Sequence, residues 1–560
     1  MHQKRKRSTN YNIYRNIRTK LRQVDPTPDV AYLLVYTFLY KHCSDSLKDY
    51  FSSVVEDQEM TLDEAFRDEY LQMKFRNDAL QMFGYYINRP DAFIDEVINE
   101  SYQERFFIPN FFRMFKNNVE FEKGSNYERY FKFIFNCVDN VLKLNVYDFS
   151  GESYLIVKDL IYTISKLNIF EEELPFSTIF DFICQSRVFR VEQDPEYINE
   201  ILTELVHASK FSSKDIYNPF FNDGSSIISL SNKFDFGYAY GKCNEKVTLC
   251  CSIVKLLMNY FSLNNIFLEF GNAMDSVDIG GASFDVIISK LPPVGGWSSK
   301  STYKNQSREF SRRNKRKQLE DMLSIKFDMD EKSFSSDSQL NDALENLLEK
   351  MDLEMDSNDF VGEYEPLNDS EYLFLINLIN CLKDDGVMVV SISQSFLFKN
   401  SLELLRKYLV YEHNYLDTVI SIPEGLGRTT RPEVICVFRK NRINDDILFV
   451  DLTKNFKTKK AQHIAPGAIR RNLSLSNDTF NQLLRVYDRR EIIERYSNVV
   501  SIREVAQNEF NLSVSRYVDT FEGEFIQLKD LANEKKEITS QIKELNKKID
   551  EMMEELDLRF

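Results

Sequence analysis

The sequence predicts an α/β protein, with an all-helical N-terminal half ahead of a doubly wound sheet and a long heptad-patterned helix at the end. Three observations carry that reading. From about residue 25 to 210, apolar residues recur at helical spacing, as in AYLLVYTFLYKHCSDSL and YERYFKFIFNCVDNVLKL, with almost no period-two stretches. Beyond Lys214, short β-rich runs alternate with amphipathic helices, the pattern of a mainly parallel sheet. Near the C-terminus, Leu528, Lys535, Ile542, Ile549 and Leu556 fall seven residues apart, as do Leu531, Ile538, Leu545 and Met552. Read as a and d positions they give over four heptads with one polar a position at Lys535, a stripe that either packs back onto its own domain or, with Glu and Lys at most other sites, pairs with another helix as a coiled coil.

In chain order, residues 1–24 form a basic tail with Lys4, Arg5, Lys6, Arg7, Arg15, Arg18, Lys20 and Arg22. It reads either as a solvated tail or as an arm for nucleic acid or a partner. Residues 25–210 are the helical domain and 211–480 the α/β domain. Its strands are KDIYN, KFDFGYAYG, NIFLEFG, FDVIISK, GVMVVSIS, YLDTVISI, EVICVFRK and ILFVDLT. Helices fall between them, notably EKVTLCCSIVKLLMNYF and SEYLFLINLINCLK, the latter ending at an Asp384-Asp385-Gly386 turn. A long insertion, about 298–368, is Ser/Asn/Lys/Arg-rich and then acidic, with a basic knot at Arg308, Arg312, Arg313, Lys315, Arg316 and Lys317. Residues 481–525 read as a connector and 526–560 as the coiled-coil helix. Ligands of doubly wound sheets bind beyond the carboxyl ends of the strands, so the residues that follow the first four strands are the candidate site.

Composition narrows the function classes. With 560 residues and roughly 150 per domain, three or four units are expected. Apolar residues make up 43% and charged residues 28%, which excludes wholesale disorder. Only 17 residues are Gly, against 45 Phe and 29 Tyr, so little material is left for glycine-rich phosphate loops. A net charge of −16 argues against a protein whose whole surface grips nucleic acid; DNA contact must come from local basic patches or a partner. The 8 cysteines include no CxxC pair and sit mostly in apolar runs, as buried thiols of a reducing compartment do. The 5 histidines show no metal-ligand spacing, and no metal site is expected. MHQKRKRS opens no signal peptide, and no apolar run reaches the ~18 residues of a membrane helix. A soluble, cytoplasmic protein without a membrane partner is expected.

The strand-end segments carry a resemblance. IYNPFFNDGSSIISL, residues 216–230, looks like the DPxxGxGG signature that opens the S-adenosylmethionine (SAM) site of amino-group DNA methylases, and FDVIISKLPPVGGW, residues 284–297, looks like the following strand and NPPF loop. The later LKDDGVMVVSISQSFLF, LDTVISIPEGLGRTTRPEVICVFRK, ILFVDLT and NEFNLSVSRYV resemble, in order and spacing, the modification (M) subunit of type I restriction-modification systems, N-6 adenine DNA methylases. The terminal heptads sit where that family has its coiled coil. The resemblance implies a SAM-dependent methyltransferase-like sheet and methyl transfer from SAM to adenine in DNA. It also implies partners: a specificity (S) subunit docked through the coiled coil, a restriction subunit, a second M subunit and double-stranded DNA.

Carried over residue by residue, the same resemblance implies a degenerate site. The first acid of the SAM signature falls on Asn218, followed by the retained Pro219; its first Gly falls on Asn222, and its second is retained as Gly224. Asn tolerates the left-handed backbone that Gly supplies. The ribose acid falls on Cys243, with Glu245 two residues on, and the acid after the third strand falls on Asn272. Of the expected acids only Asp285, on the strand before the loop, persists. In the NPPF loop the Asn falls on Lys290 and the aromatic on Pro293, or, slipped by one, on Leu291 and Val294; Pro292-Pro293 keep the loop rigid, and Trp297 is a substitute stacking ring. A flipped adenine needs a side-chain carbonyl to accept from its exocyclic amine, which neither Lys nor Leu offers. Two readings follow: an M-subunit-like adenine methyltransferase with impaired or lost catalysis, and a pseudo-methylase kept as a scaffold or assembly subunit of a DNA-modification or defence complex.

Overall fold

In the computed structural model, the described residues are 9–56, 60–143, 152–191, 196–209, 215–271, 273, 283–291, 375, 378–422, 432–454, 457–458, 473–474, 476–519 and 528–555. The N-terminal unit holds α1 (Thr9–Leu21), α2 (Pro28–Glu56), α3 (Leu62–Ala65), α4 (Glu69–Met82), α5 (Ile94–Ser101), α6 (Phe107–Asn118), α7 (Asn126–Lys143), α8 (Glu152–Ser165), α9 (Phe176–Cys184) and α10 (Glu196–Ala208). Local chemistry sets several starts: Pro28 opens α2, Thr61 and Glu64 close a capping box on α3, and the Asp68 carboxylate caps α4. α2 is apolar on nearly every side, and its residues from Val30 to Ser44 are almost continuously buried; it is the central post against which α7, α8 and α12 (Lys246–Met258) pack.

Two features of this half differ from the sequence reading. It is not purely helical: β1 (Tyr85–Ile87) and β2 (Val119–Phe121) form an antiparallel ribbon. Three residues per strand are too few to show a period-two pattern, and all of Tyr85–Ile87 are buried. The described part of the basic tail is not a tail. α1 buries Tyr14, Ile17 and Leu21, and Asn10 bonds the carbonyls of Asn168 and Leu174 at 2.8 and 3.1 Å. An apolar stripe at i, i+3 and i+7 outweighs the scattered basic residues; Arg15 is exposed, while Lys20 turns to α8, pairing with Asp159 at 2.6 Å and donating to Thr163 Oγ1 at 2.8 Å. Lys4 to Arg7 lie outside the described residues.

The second unit is a nine-stranded mixed sheet of β3 (Asp215–Asn218), β4 (Tyr238–Cys243), β5 (Ile266–Phe270), β6 (Phe284–Lys290), β7 (Leu382–Ser393), β8 (Leu416–Ser421), β9 (Glu433–Arg439), β10 (Asp446–Asp451) and β13 (Ser497–Ser501), in the order β13-β10-β8-β9-β7-β6-β3-β4-β5. Two further short strands, β11 (Lys457–Thr458) and β12 (Leu473–Ser474), pair with each other. β9 runs antiparallel to both its neighbours and β13 antiparallel to β10; the remaining neighbours are parallel. From β3 the chain winds outward to β4 and β5, then returns to β6 on the other side of β3 and winds the opposite way. The switch point lies between β3 and β6, where doubly wound sheets open their crevice.

All eight strands expected from the sequence are present, β6 with the expected ends and the others with shifted ones. β4 begins at Tyr238, not Lys233. Asp384-Asp385-Gly386 is not a turn after a helix but lies inside β7, which starts at Leu382; the register jumps from Phe284↔Leu382 to Val286↔Val387. The extra residues are accommodated as an irregularity in the ladder, so the turn-forming residues bulge the strand instead of ending it. The connector is also not a linker. β13 pairs with β10, and Val500, Ile502, Val505, Leu512, Val514, Tyr517 and Val518 are buried. SNVVS is short and half polar, which is why it carries no strand signal.

Successive strand residues face opposite cores. Ile216, Ala239, Val286, Ile288, Val387, Val389, Ile435 and Val437 join the core shared with the N-terminal helices. Tyr217, Ile287, Met388, Val390, Cys436, Phe438 and Phe449 join a second core under the segment 396–410 and the helices Ile502–Gln507 and Val514–Tyr517. α10 of the helical half, α12 and the helix Asn477–Arg489 pack on the first of these faces, and the chain's two apolar patterns meet in one core. A 28-residue helix, Leu528–Glu555, follows, with Ile538, Ile542, Leu545 and Ile549 each about half exposed. The insertion about 298–368 lies outside the described residues. Among the described residues no helix is long and apolar enough to cross a membrane, and no group of three His, Cys, Asp or Glu could hold a metal.

Candidate functional site at the sheet switch point

β3 ends at Asn218 and the adjacent β6 at Lys290, so the topology brings two of the sequence-derived positions to the same edge. Asn218 is fully buried. Its Oδ1 accepts from Ser289 Oγ at 3.1 Å, while its Nδ2 has no partner. An aspartate at this position would offer acceptors only; the amide has one accepting and one donating end, and only the first is matched.

Pro219 is buried, and from it the chain turns into α11 (Ser225–Ser231). Phe221 N–H donates to Lys242 O at 3.1 Å, and Gly224 N–H to Phe221 O at 2.9 Å. Asn222 has φ 45° and Gly224 φ 78°, both in the left-handed region, which Asn and Gly tolerate better than other residues do. The Phe221 ring lies over Gly241 of β4, where an added Cβ would stand 2.3 Å from its Cδ2. No larger residue fits there without moving the ring.

The turn is gripped from below by α12. Ser252 Oγ donates to Asn222 O at 2.5 Å, and Cys243 Sγ lies 3.6 Å from the same carbonyl. Asp223, 2% exposed, accepts from Ser225 Oγ at 2.7 Å and pairs with Lys255 Nζ at 2.8 Å. Lys255 Nζ also pairs with Asp181 of α9 at 2.9 Å. Burial opposes the ammonium charge, but the two carboxylates outweigh it and hold the pKa of Lys255 above its ordinary value. Cys243, at the end of β4, is buried under the turn, and burial pushes its thiol up to about 12. It is an interior packing group and a neutral one. Glu245 is exposed, at the start of α12.

At the end of β6 the Lys290 ammonium lies 3.4 Å from Glu433 Oε1, with the two side chains 14% and 11% exposed. Glu433 Oε2 accepts from Ser391 Oγ at 3.1 Å. Because β9 is antiparallel to β7, its first residue, Glu433, arrives at the edge where β6 and β7 finish, opposite Ser393. Tyr197 of α10 is close enough that the Glu433 charge adds to burial in raising its phenol. Leu291, half buried, donates its N–H to Ser391 O at 2.9 Å. Pro292, Pro293, Val294, Trp297 and Asn272 lie outside the described residues.

Asp285, the one acid expected to persist, is not part of this edge. It opens β6, where its Oδ2 accepts from Asp215 N–H at 2.8 Å and pairs with Lys383 at 2.9 Å. At ~3.3 Å per residue it stands about 17 Å from Lys290 along the strand, where it joins three strand starts. The sequence reading missed Glu433, Ser289, Ser252 and the Asp223–Lys255–Asp181 group. Lys255 carried a usable signal, a lone Lys in the apolar run TLCCSIVKLLM, which demands a buried counter-ion. Glu433 carried a weaker one, a charge directly before VICVF.

Tested against SAM, the site fits in part. The left-handed turn suits a close approach of backbone N–H groups to a ligand. Its side chains suit SAM less well: Asn218 and Cys243 put a buried amide and a buried thiol at the strand ends, and neither is a carboxylate that could pair with an ammonium ion or accept from both ribose hydroxyls. Lys290 offers three ammonium protons and no acceptor, so its side chain could not accept from an exocyclic amine.

Comparison with known proteins bears on the fold. Residues 344–524 match the family model N-6 DNA Methylase. The type I restriction enzyme MjaVII methylase subunit of Methanocaldococcus jannaschii is 28% identical over 199 residues, 34% of this chain and 33% of that protein. The MpnII methylase subunit of Mycoplasma pneumoniae is 27% identical over 182 residues, 32% of this chain and 31% of that protein. The matched stretch thus spans about a third of these curated relatives. Among solved structures, the type I restriction-modification system methyltransferase subunit from Streptococcus thermophilus superposes with a TM-score of 0.65 at 19% identity, over 91% of this chain and 99% of that one. A chain from a study of type I R-M complex assembly and conformational transition gives a TM-score of 0.50 at 12% identity, over 98% and 99%. These likenesses show the fold. The family match begins beyond Asn218–Gly224, Cys243 and Lys290, all of which lie outside it.

Proposed function

We infer that this chain, similar to the methylase subunits of type I restriction enzymes and carrying an N-6 DNA methylase segment at residues 344–524 on the fold of a modification subunit, is an assembly subunit of a DNA-modification complex whose own methyl-transfer chemistry is lost. The observation that carries this reading is the Lys290–Glu433 pair. In the register without a gap, the position aligned with the family's base-holding Asn is a cation whose charge is neutralised within the protein, and in the register slipped by one it is Leu291, which has no acceptor either. A lysine left exposed at a strand end could swing away; one paired with a mostly buried carboxylate, itself bonded to Ser391, is held in place. The buried Asn218 and Cys243 support the same reading, because neither offers SAM the acceptor that an acid would.

Partner binding is the retained function. The exposed edge of Ile538, Ile542, Leu545 and Ile549 follows the d-a-d-a spacing of a two-helix seam, and the flanking Lys and Glu residues suit pairing with another charged helix. We assign this seam to an S subunit, with double-stranded DNA, a restriction subunit and a second, catalytically intact M subunit reached through the complex. A net charge of −16 fits a chain that leaves most phosphate contact to its partners.

The test is calorimetric titration with SAM, followed by a methyl-transfer assay on DNA with the S subunit present. No heat of SAM binding and no transferred label are expected. The competing reading, a methylase with impaired turnover, requires measurable SAM binding and slow transfer.

A further inference from the structure

The carboxylate nearest the degenerate turn is directed away from any ligand. Asp223 lies between Asn222 and Gly224, the two left-handed residues, yet it is 2% exposed and committed to Lys255 at 2.8 Å and Ser225 at 2.7 Å. Lys255 is itself 8% exposed and reaches across to Asp181 of α9 at 2.9 Å. One turn above, on the same face of α12, Ser252 holds the Asn222 carbonyl, while Ser226 of α11 bonds Asn199 of α10 at 2.9 Å. α9 and α10 belong to the N-terminal helical unit, while β3, α11 and α12 belong to the sheet unit. Two polar anchors of the turn therefore lead into the helical unit, Lys255 through Asp181 of α9 and Ser226 through Asn199 of α10.

We propose that Lys255 is a positioning residue that holds the Asn222–Gly224 turn through Asp223 and ties it, through Asp181, to the N-terminal helical unit, so that the turn serves as a clasp between the two units. The physical reasoning is local. Asn at φ 45° is strained relative to Gly, and such a conformation persists only where its surroundings over-determine it. A buried Lys between two carboxylates has little solvent to fall back on, and removing it leaves the buried Asp223 uncompensated. This inference rests on the proposed function only for the position of the turn in the fold; its test needs no ligand.

The test is amide hydrogen exchange of the full chain, read for the segment 219–231 against a control segment in α6. Asp181→Asn removes the partner on α9, which is one-third exposed, and leaves the Asp223–Lys255 pair; Lys255→Met removes the whole link. Exchange in 219–231 should rise about threefold in the first variant and at least tenfold in the second, with α6 unchanged. If Lys255→Met fails to fold, Asp181→Asn carries the test alone. Unchanged exchange in 219–231 in Asp181→Asn, or an equal rise in α6, overturns the proposal. A parallel SAM titration of the unaltered protein reports separately on the proposed loss of cofactor binding, whatever the exchange shows.

Discussion

Replacing Lys290 with Met should destabilise the protein by about 3 kcal/mol, and most of that loss should be recovered by adding Glu433→Gln. The magnitude follows from the pair's surroundings. At 3.4 Å and an effective dielectric constant of ~20, the two charges attract by about 5 kcal/mol, and the desolvation of both side chains offsets much of this. Losing one partner of a buried pair costs about 3–5 kcal/mol because the survivor is stranded. The 14% and 11% exposures leave Glu433 some access to water, and Ser391 Oγ remains as a donor at 3.1 Å, which puts the expected cost at the lower end. In the double variant no charge remains, and the Gln amide can still accept from Ser391, so stability should return to within about 1 kcal/mol of the parent. Equilibrium denaturation of the parent, both single variants and the double variant at pH 7 gives the coupling directly, expected to exceed about 2 kcal/mol because Glu433→Gln also strands Lys290. A Lys290→Met variant within 0.5 kcal/mol of the parent (about the scatter of a neutral surface change) would refute the ion pair. So would a double variant no better than the sum of the single ones.

Three further outcomes follow from named contacts. Gly241→Ala should cost about 1–3 kcal/mol and disturb the turn over it, because the new Cβ meets the Phe221 ring at 2.3 Å; a thermal midpoint equal to the parent's would contradict this. His42, on α2, is fully buried, and burial lowers its pKa to about 4 from 6.5; the neutral ring therefore stabilises the fold above pH 6.5, and that contribution is lost as the pH falls toward 4. It amounts to about 3 kcal/mol, so the stability difference between the parent and His42→Leu should vary with pH between 6.5 and 4 and be flat above 7; a constant difference would contradict it. Ile542→Asp with Leu545→Asp should abolish co-purification with an S subunit at an unchanged melting temperature, since both side chains are half exposed in the isolated chain; retained co-purification would place the docking elsewhere.

The sheet was legible because burial on both faces writes each central strand as an apolar run, and FDVIISK, GVMVVSIS and EVICVFRK all appear as strands. β13 was not legible, because an edge strand such as SNVVS needs only a few apolar residues to pair. Asp384-Asp385-Gly386 misled for a different reason: turn chemistry is local, and a bulge uses the same residues. At the candidate site the positions were legible and the partners were not. Asn218 and Lys290 could be placed by motif, but that Ser289 and Glu433 would meet them depended on strand order and on β9 running antiparallel. Asp285 shows the converse, an acid conspicuous in the sequence that the strand carries to the opposite edge of the sheet.

The most direct test of lost chemistry is incorporation of radiolabelled methyl groups from SAM into adenine of duplex DNA by the complex of this chain with its S subunit, in the absence of any second M subunit. No label above background, in a complex that still binds DNA, is the expected result. Incorporation that Lys290→Met or Glu433→Gln abolishes would contradict it, and would make the ion pair at the end of β6 part of a working active site.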